Sequence, residues 1–184
     1  YIEFASGSFE VDETMGNNPE EIGRIKDNLI SLMQNEKFDL DSIVVTSSAS
    51  PEGTVRFNDR LSKLRSEGIS EYFSKWMNHY QDSLERERGF AVDEEGNIII
   101  QKRTQIPMIG RSNGENWQML DRLVEKDTVM TEDEKKSYIS YAEITDIDQR
   151  ERSLQSLGCY RHMREKLYPR LRTVRFDFHL HRKG

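Results

Sequence analysis

The chain contains one cysteine, Cys159, in 184 residues, which excludes an internal disulfide and any cysteine-rich zinc site. Long apolar runs are also absent. No stretch approaches the roughly 18 uninterrupted apolar residues that a membrane span needs, so we do not expect this segment to cross a bilayer. Basic residues are outnumbered, with 27 Lys and Arg against 33 Asp and Glu and a net charge of −6. Nucleic-acid binding requires a clustered excess of positive charge, so this balance argues against that class of partner.

Recognisable catalytic patterns are missing as well. The chain has no nucleophile elbow, no glycine-rich phosphate loop and no histidine pair at the spacing of a zinc protease. Cys159 lies in an apolar helical stripe, where packing is the simpler interpretation. His179 and His181 share one face of a strand, but the sequence places no third metal ligand beside them. We therefore predict that the protein is not an enzyme and uses neither a metal nor a cofactor.

What the chain does contain is an interleaved series of strand and helix patterns. These predict a strand through Phe4, a helix from Asn18 to about residue 35, and then further elements at residues 43–46 (strand), 54–80 (helix), 98–106 (strand) and 174–180 (strand). We predict an α+β fold in which one mixed sheet of about four strands carries helices mainly on one face. Residues 1–184 are predicted to form a single domain, with residues 110–169 as a mainly helical insertion before the last strand.

The last strand has the clearest alternation of apolar and polar residues. Val174, Phe176, Phe178 and Leu180 fall on one side of it, and charged residues or histidines fall on the other. We expect these four side chains to share a core with the strand at 43–46 and the apolar stripe of the long helix. Only a shared core hides all three apolar faces from water.

A group of polar residues opens the long helix. Asn58, Ser62 and Arg65 lie early in it, and Asn58 and Arg65, two turns apart, project from nearly the same face. The loop at residues 50–53, Ser-Pro-Glu-Gly, comes directly before this helix. An arginine fork, an amide and free loop N–H groups near the positive end of a helix dipole are suited to bind a carboxylate. The spacing thus allows a carboxylate pocket.

The same residues also allow simpler roles. Arg65 is able to pair with Asp59 or Glu67 on the helix surface, and Asn58 is able to cap a turn. Charged helices offer many such pairs, so the spacing alone favours these roles over a pocket.

Two runs of residues here resemble the OmpA-like domain, the C-terminal domain of outer-membrane protein A. They are IVVTSSASPEG at residues 43–53 and NDRLSKLRSEGI at residues 58–69. The family shows a buried strand, a loop and then N-x-x-L-S-x-x-R-A-x-x-V at the start of a long helix. Four positions match this pattern: Asn58, Leu61, Ser62 and Arg65. Two positions are substituted, with Ser66 in place of the alanine and Ile69 in place of the valine. The resemblance covers roughly residues 1–80 and 170–182, and implies the family's βαβαββ mixed sheet. Residues 110–169 resemble a longer variant found in outer-membrane proteins of Bacteroides-type bacteria.

The resemblance implies a non-catalytic domain that binds peptidoglycan through the diaminopimelate of the stem peptide. In the family, an arginine and an aspartate hold the carboxylate and the ammonium of that residue. The arginine corresponds to Arg65 and the neighbouring amide to Asn58. The position of the aspartate, eight residues before Asn58, is Ser50 here, so Glu52 is the candidate to supply the missing charge. Ser62 completes the expected ligand-binding set.

The resemblance also implies a location and a partner. It places the domain at the periplasmic face of the cell outer membrane, where it tethers an outer-membrane protein to the wall, with the membrane anchor expected upstream of Tyr1. Two alternatives remain open. One is a domain of the same fold that has lost wall binding and docks a protein of an outer-membrane or surface assembly through its helical insertion. The other is a wall hydrolase, which the missing catalytic set disfavours.

Overall fold

The computed structural model describes residues 2–89, 91–99 and 105–184. Within these ranges the fold is α+β, with three strands and six α-helices. The strands are β1 (Phe38–Ala49), β2 (Met108–Glu115) and β3 (Val174–Arg182). The helices are α1 (Asn18–Met33), α2 (Val55–Arg88), α3 (Trp117–Lys126), α4 (Glu132–Ala142), α5 (Ile147–Leu154) and α6 (Tyr160–His162), the last continued by a π-helical turn (Met163–Leu167) and a 3-10 turn (Tyr168–Leu171).

The described strands form one mixed sheet in the order β2-β1-β3. The central strand β1 runs parallel to β2 and antiparallel to β3. A parallel pair needs a crossover connection, and here that connection contains α2. Helix and strand lie close together at Gly110, where an added Cβ would come within 3.0 Å of the Ser66 hydroxyl oxygen. The end of β1, the loop after it and the first turns of α2 are therefore held in a fixed relation.

The N-terminal segment is buried without forming the strand expected through Phe4. Ile2 and Phe4 lie in the sheet core, at 0% and 4% exposure. Asn18, the first residue of α1, holds this segment in place instead. Its side-chain oxygen accepts from the Glu3 amide at 2.7 Å and its nitrogen donates to the Glu3 carbonyl at 3.0 Å. These side-chain hydrogen bonds take the place of pairing with a neighbouring strand. The described residues therefore contain three strands where about four were expected.

The strand beside β1 lies later in the sequence than predicted. Part of the expected strand at 98–106 falls outside the described residues, and Ile98 forms only an isolated bridge with Val92. The strand parallel to β1 begins at Met108 and runs into what was predicted to be the helical insertion. Its sequence, MIGRSNGE, has little β-propensity; pairing with β1 and close packing against α2 outweigh that weakness. The helical block accordingly begins at Trp117.

Two apolar clusters fill the molecule. The first lies between the sheet and helices α1 and α2, and it includes Ile43, Val45, Ile69, Phe73 and Val174, with Phe176 and Phe178 packed against it. This confirms most of the shared core predicted for the last strand. Leu180 is the exception, 42% exposed, since it lies near the end of an edge strand beside a bulge between Leu40 and Ser42. The second cluster belongs to the helical block and extends from Leu120 to Leu171.

No helix in the described ranges is both long enough and apolar enough to cross a membrane.

Candidate functional site

Arg65, the central residue of the expected site, is buried at 1% exposure. Its Nε donates to the Ser8 carbonyl at 2.8 Å and its Nη2 to the Ala5 carbonyl at 3.2 Å. The guanidinium carbon lies 5.0 Å from the centre of the Phe4 ring. The carboxylate pocket that the spacing allows is therefore not open at Arg65, because the N-terminal segment, anchored in the core by its apolar residues, crosses over the guanidinium.

The guanidinium keeps one unused donor. Among the described residues, Nη1 of Arg65 is buried without a hydrogen-bond partner. The pKa of Arg65 is lowered to about 10, chiefly by burial and also by the nearby charge of Arg172, while the carboxylate of Glu52 opposes both effects. At neutral pH the side chain is still a cation, and its hydrogen bonds go to neutral carbonyls. A buried charge in this state is costly, because desolvation is not offset by a bonded counter-ion.

A second arginine, which the sequence did not single out, joins this site. Arg172 precedes β3 and is 8% exposed. Its Nε donates to the Ser50 hydroxyl at 3.1 Å and its Nη2 to Oε1 of Glu52 at 2.9 Å. The other oxygen of Glu52 accepts from the Ser6 hydroxyl at 3.2 Å. We call Arg65, Arg172, Ser50 and Glu52 the two-arginine cluster.

Strand pairing explains how Arg172 arrives there. Val174 lies opposite Ser47 in the antiparallel β1–β3 pair, and the Ser48 amide donates to the Thr173 carbonyl at 2.9 Å. The residues just before β3 must therefore lie beside the loop that follows β1. Antiparallel pairing of the last strand with the strand at 43–46 is the signal that could have identified Arg172 from the sequence.

The remaining two expected residues turn to a different set of partners. Asn58 is 2% exposed, and its Nδ2 donates to Oε1 of Glu115 at 2.8 Å. The other oxygen of Glu115 accepts from the Trp117 indole at 2.7 Å. Ser62 contacts the Ser112 hydroxyl and donates to the Asp59 carbonyl at 3.2 Å. Asn58 and Ser62 thus bind α2 to the end of β2, whereas Ser50, Glu52 and Arg65 belong to the two-arginine cluster.

The helical block covers the start of α2. The Val55 amide lies in the first turn of the helix, where N–H groups have no partner within the helix itself. It donates instead to Oδ1 of Asp148 at 2.9 Å. The Arg150 guanidinium lies 4.9 Å from the centre of the Trp117 indole. The free helix N-terminus that the pocket hypothesis assumed is therefore partly used by the protein itself.

The helical block also contains a buried carboxyl group, that of Glu151. Glu151 is 3% exposed and accepts from the hydroxyls of Tyr160 at 2.7 Å and Tyr168 at 2.8 Å. Its pKa is raised to about 7, chiefly by burial and also by the charges of Glu115 and Glu52, against the lowering effect of the two tyrosine hydrogen bonds. Desolvation likewise raises the pKa of Glu115.

Within the described ranges, no group of three or more His, Cys, Asp or Glu side chains is arranged to hold a metal ion. What the described residues offer chemically is a buried cationic cluster. No protein-family model matches the sequence, and a search of the curated proteins finds no match.

Proposed function

We propose that this chain is a non-catalytic, OmpA-like domain that binds peptidoglycan on the periplasmic side of the outer membrane. Arg65 would hold a carboxylate of the diaminopimelate in the stem peptide, and the domain would tether an outer-membrane protein to the wall. The motif Asn58-x-x-Leu61-Ser62-x-x-Arg65 supports the proposal. The arrangement in which α2 links parallel strands and β3 pairs antiparallel with β1 is compatible with the family's plan.

The observation that carries the proposal is the state of Arg65. Its guanidinium is buried and charged, it bonds neutral carbonyls, and Nη1 lacks a partner in the described part of the chain. A carboxylate bound end-on, across Nη1 and Nη2, would supply both the missing acceptor at Nη1 and the missing negative charge, since arginine and carboxylate match as a bidentate pair. A protein that keeps such a costly group gains most from it when a ligand completes it.

Binding on this proposal requires the segment at residues 5–8 to move. The Ala5 carbonyl occupies Nη2, one of the two nitrogens that this carboxylate would use, and the Ser8 carbonyl occupies Nε beside it. Ala5, Ser6 and Gly7 are exposed and form a turn, so their displacement uncovers Arg65 without opening the apolar core. The ligand carboxylate would then bind Nη1 and take the place of the Ala5 carbonyl at Nη2.

The test is a pull-down with purified sacculi, with free diaminopimelate as competitor. Arg65→Lys keeps the charge but loses the planar fork, so we expect it to reduce sacculus binding by roughly tenfold or more. Arg60→Lys, on the exposed side of the same helix, is the matched control and should bind normally. Thermal denaturation of both variants checks that they fold. Wild-type binding by a folded Arg65→Lys protein would reject Arg65 as the ligand-binding residue.

One observation favours a second function, in which the domain docks another protein of the envelope. A groove of about 480 Å³ lies on helices α3 and α4, with Val124, Tyr138, Ile139 and Ala142 among its lining residues. Ile139 is 62% exposed and adds apolar surface to this groove, as a docking site for a protein requires. A docking module without wall affinity would leave sacculi unbound even when the segment at residues 5–8 is loosened. That result would favour the groove over the two-arginine cluster.

A further inference from the structure

The two-arginine cluster has an unequal charge balance. Arg65 and Arg172 contribute two guanidinium groups, Glu52 contributes one carboxylate, and Ser50 contributes no charge. A zwitterionic ligand, with one ammonium beside one carboxylate, is best matched by a site with one charge of each sign. This cluster instead carries an excess of one positive charge.

The single carboxylate of the cluster is already engaged. Oε1 of Glu52 accepts from Arg172, and this ion pair stays in place when the segment at residues 5–8 moves and takes the Ser6 hydroxyl away from Oε2. If Glu52 turned to a ligand ammonium, Arg172 would lose its ion pair. The Arg172 side chain is only 9% exposed, so this loss is unfavourable because it leaves an uncompensated charge behind. Ser50 is no substitute, since its hydroxyl accepts from Nε of Arg172.

The other buried carboxyl groups near the cluster also have donors. Glu115 accepts from Asn58 and Trp117, and Glu151 accepts from two tyrosines. Burial raises the pKa of each of them, which disfavours the charge that an ammonium would require. In the part of the chain that the structure describes, the unused capacity at this site is therefore for an anion, at Nη1 of Arg65.

We propose, building on the function proposed above, that the cluster selects a carboxylate whose neighbouring amine is acylated. This is the form that the side chain of diaminopimelate takes inside a peptide cross-link, whereas an uncross-linked side chain keeps its ammonium. An ammonium next to the bound carboxylate would face two buried guanidinium groups at short range, and like charges repel strongly in a desolvated site. The cluster thus binds the cross-linked form of the stem peptide selectively.

The experiment compares two competitors for sacculus binding, free diaminopimelate and its N-acetylated form. Displacement of the segment at residues 5–8 costs the same for both, so the ratio of their inhibition constants reports the recognition step alone. We expect the inhibition constant of the N-acetylated competitor to be lower than that of free diaminopimelate by roughly tenfold or more. Equal inhibition, or preference for the free amine, would overturn the inference.

Ser50→Asp sharpens the test, since it places a second carboxylate beside Arg172 and balances the charges of the cluster. We expect this variant to lose the preference or to reverse it in favour of the free amine. Thr54→Asp is the matched control: it adds the same charge to the same loop at an exposed helix cap, where aspartate also caps well. That control should keep the wild-type ratio; a change in it equal to that of Ser50→Asp would assign the effect to general charge and reject the inference.

The outcomes separate the two proposals. If sacculi bind and free diaminopimelate is the better competitor, the selectivity is wrong and wall binding stands. If neither competitor has an effect and no variant binds sacculi, both proposals fail together.

Discussion

Arg65 and Glu151 are both buried charged residues, at 1% and 3% exposure, but the protein treats them in opposite ways. Glu151 receives two tyrosine hydroxyls and is able to take up a proton, and its pKa is raised to about 7. Arg65 bonds two neutral carbonyls, keeps a nitrogen unpaired within the described residues, and stays charged because its pKa is lowered only to about 10. The carboxyl group is thus completed from within the fold, whereas on the proposed function the guanidinium is completed by a ligand.

The largest effect on stability is expected from removing the Glu151 carboxyl group, whose hydrogen bonds come from within the protein. Glu151→Ala leaves the hydroxyls of Tyr160 and Tyr168 without their acceptor inside the protein, which should lower the free energy of unfolding by about 2–4 kcal/mol. Glu165→Ala, which removes an exposed partner of Arg161, is the control and should cost less than about 1 kcal/mol. Chemical denaturation followed by circular dichroism measures both. Equal small losses would mean that Glu151 is not a structural group.

The next effect is a pH dependence of stability. The folded-state pKa of Glu151, about 7, lies above its ordinary value of 4.5, so the folded protein holds a proton that the unfolded chain has released. Stability from this group is fully present below about pH 4.5 and is lost as the pH rises through 7. We expect the wild-type protein to lose about 2 kcal/mol relative to Glu151→Gln between pH 5 and pH 8. Parallel stability curves for the two proteins would contradict this.

A smaller effect on stability is expected at Arg65. Arg65→Met fills a similar volume without a charge, so the free energy of unfolding should stay within about 1 kcal/mol of wild type or rise. Binding to sacculi should be lost in the same protein, so that stability and function separate. A large loss of thermal stability in this variant would show that the guanidinium is completed by the fold after all.

The smallest effect concerns the segment that covers Arg65. Gly7 has a φ of +67°, where alanine is strained by about 1 kcal/mol, so Gly7→Ala should loosen the turn and raise the affinity for sacculi a few-fold. Gly96→Ala, with a φ of +86° in an exposed turn and open space around the added Cβ, carries a similar strain and should not change binding. Weaker binding by Gly7→Ala would mean that the segment belongs to the binding site and does not block it.

The periodic parts of the fold could be predicted from the sequence. Helices α1 and α2 follow from apolar residues at helical spacing, and β1 and β3 from branched or alternating ones. Strand β2 could not, because MIGRSNGE shows no strand pattern and pairs only because β1 and α2 lie beside it. The opening segment was misassigned because Phe4 is apolar enough for a strand, while its hydrogen bonds come from Asn18.

Part of the candidate site could likewise be predicted from the sequence. The spacing and the motif identified Arg65 and the loop that carries Ser50 and Glu52, which lie in one charged cluster. The covering of Arg65 by residues 5–8 could not be read from the sequence, because it depends on backbone carbonyls that any sequence provides. Arg172 was also missed, since its position depends on the register of a strand pair between distant parts of the chain.

The central position of β1 has a consequence for the order of folding. Its two neighbours come from later in the chain, and β3 lies far from β1 in the sequence. Such pairing of distant segments gives a high contact order, which slows folding because the entropy of closing long loops is lost before the stabilising contacts form. During synthesis one edge of β1 stays open until β3 has been made, and an open strand edge is prone to pair with other chains. A binding partner that holds this edge until β3 has been made would therefore raise the yield of folded protein.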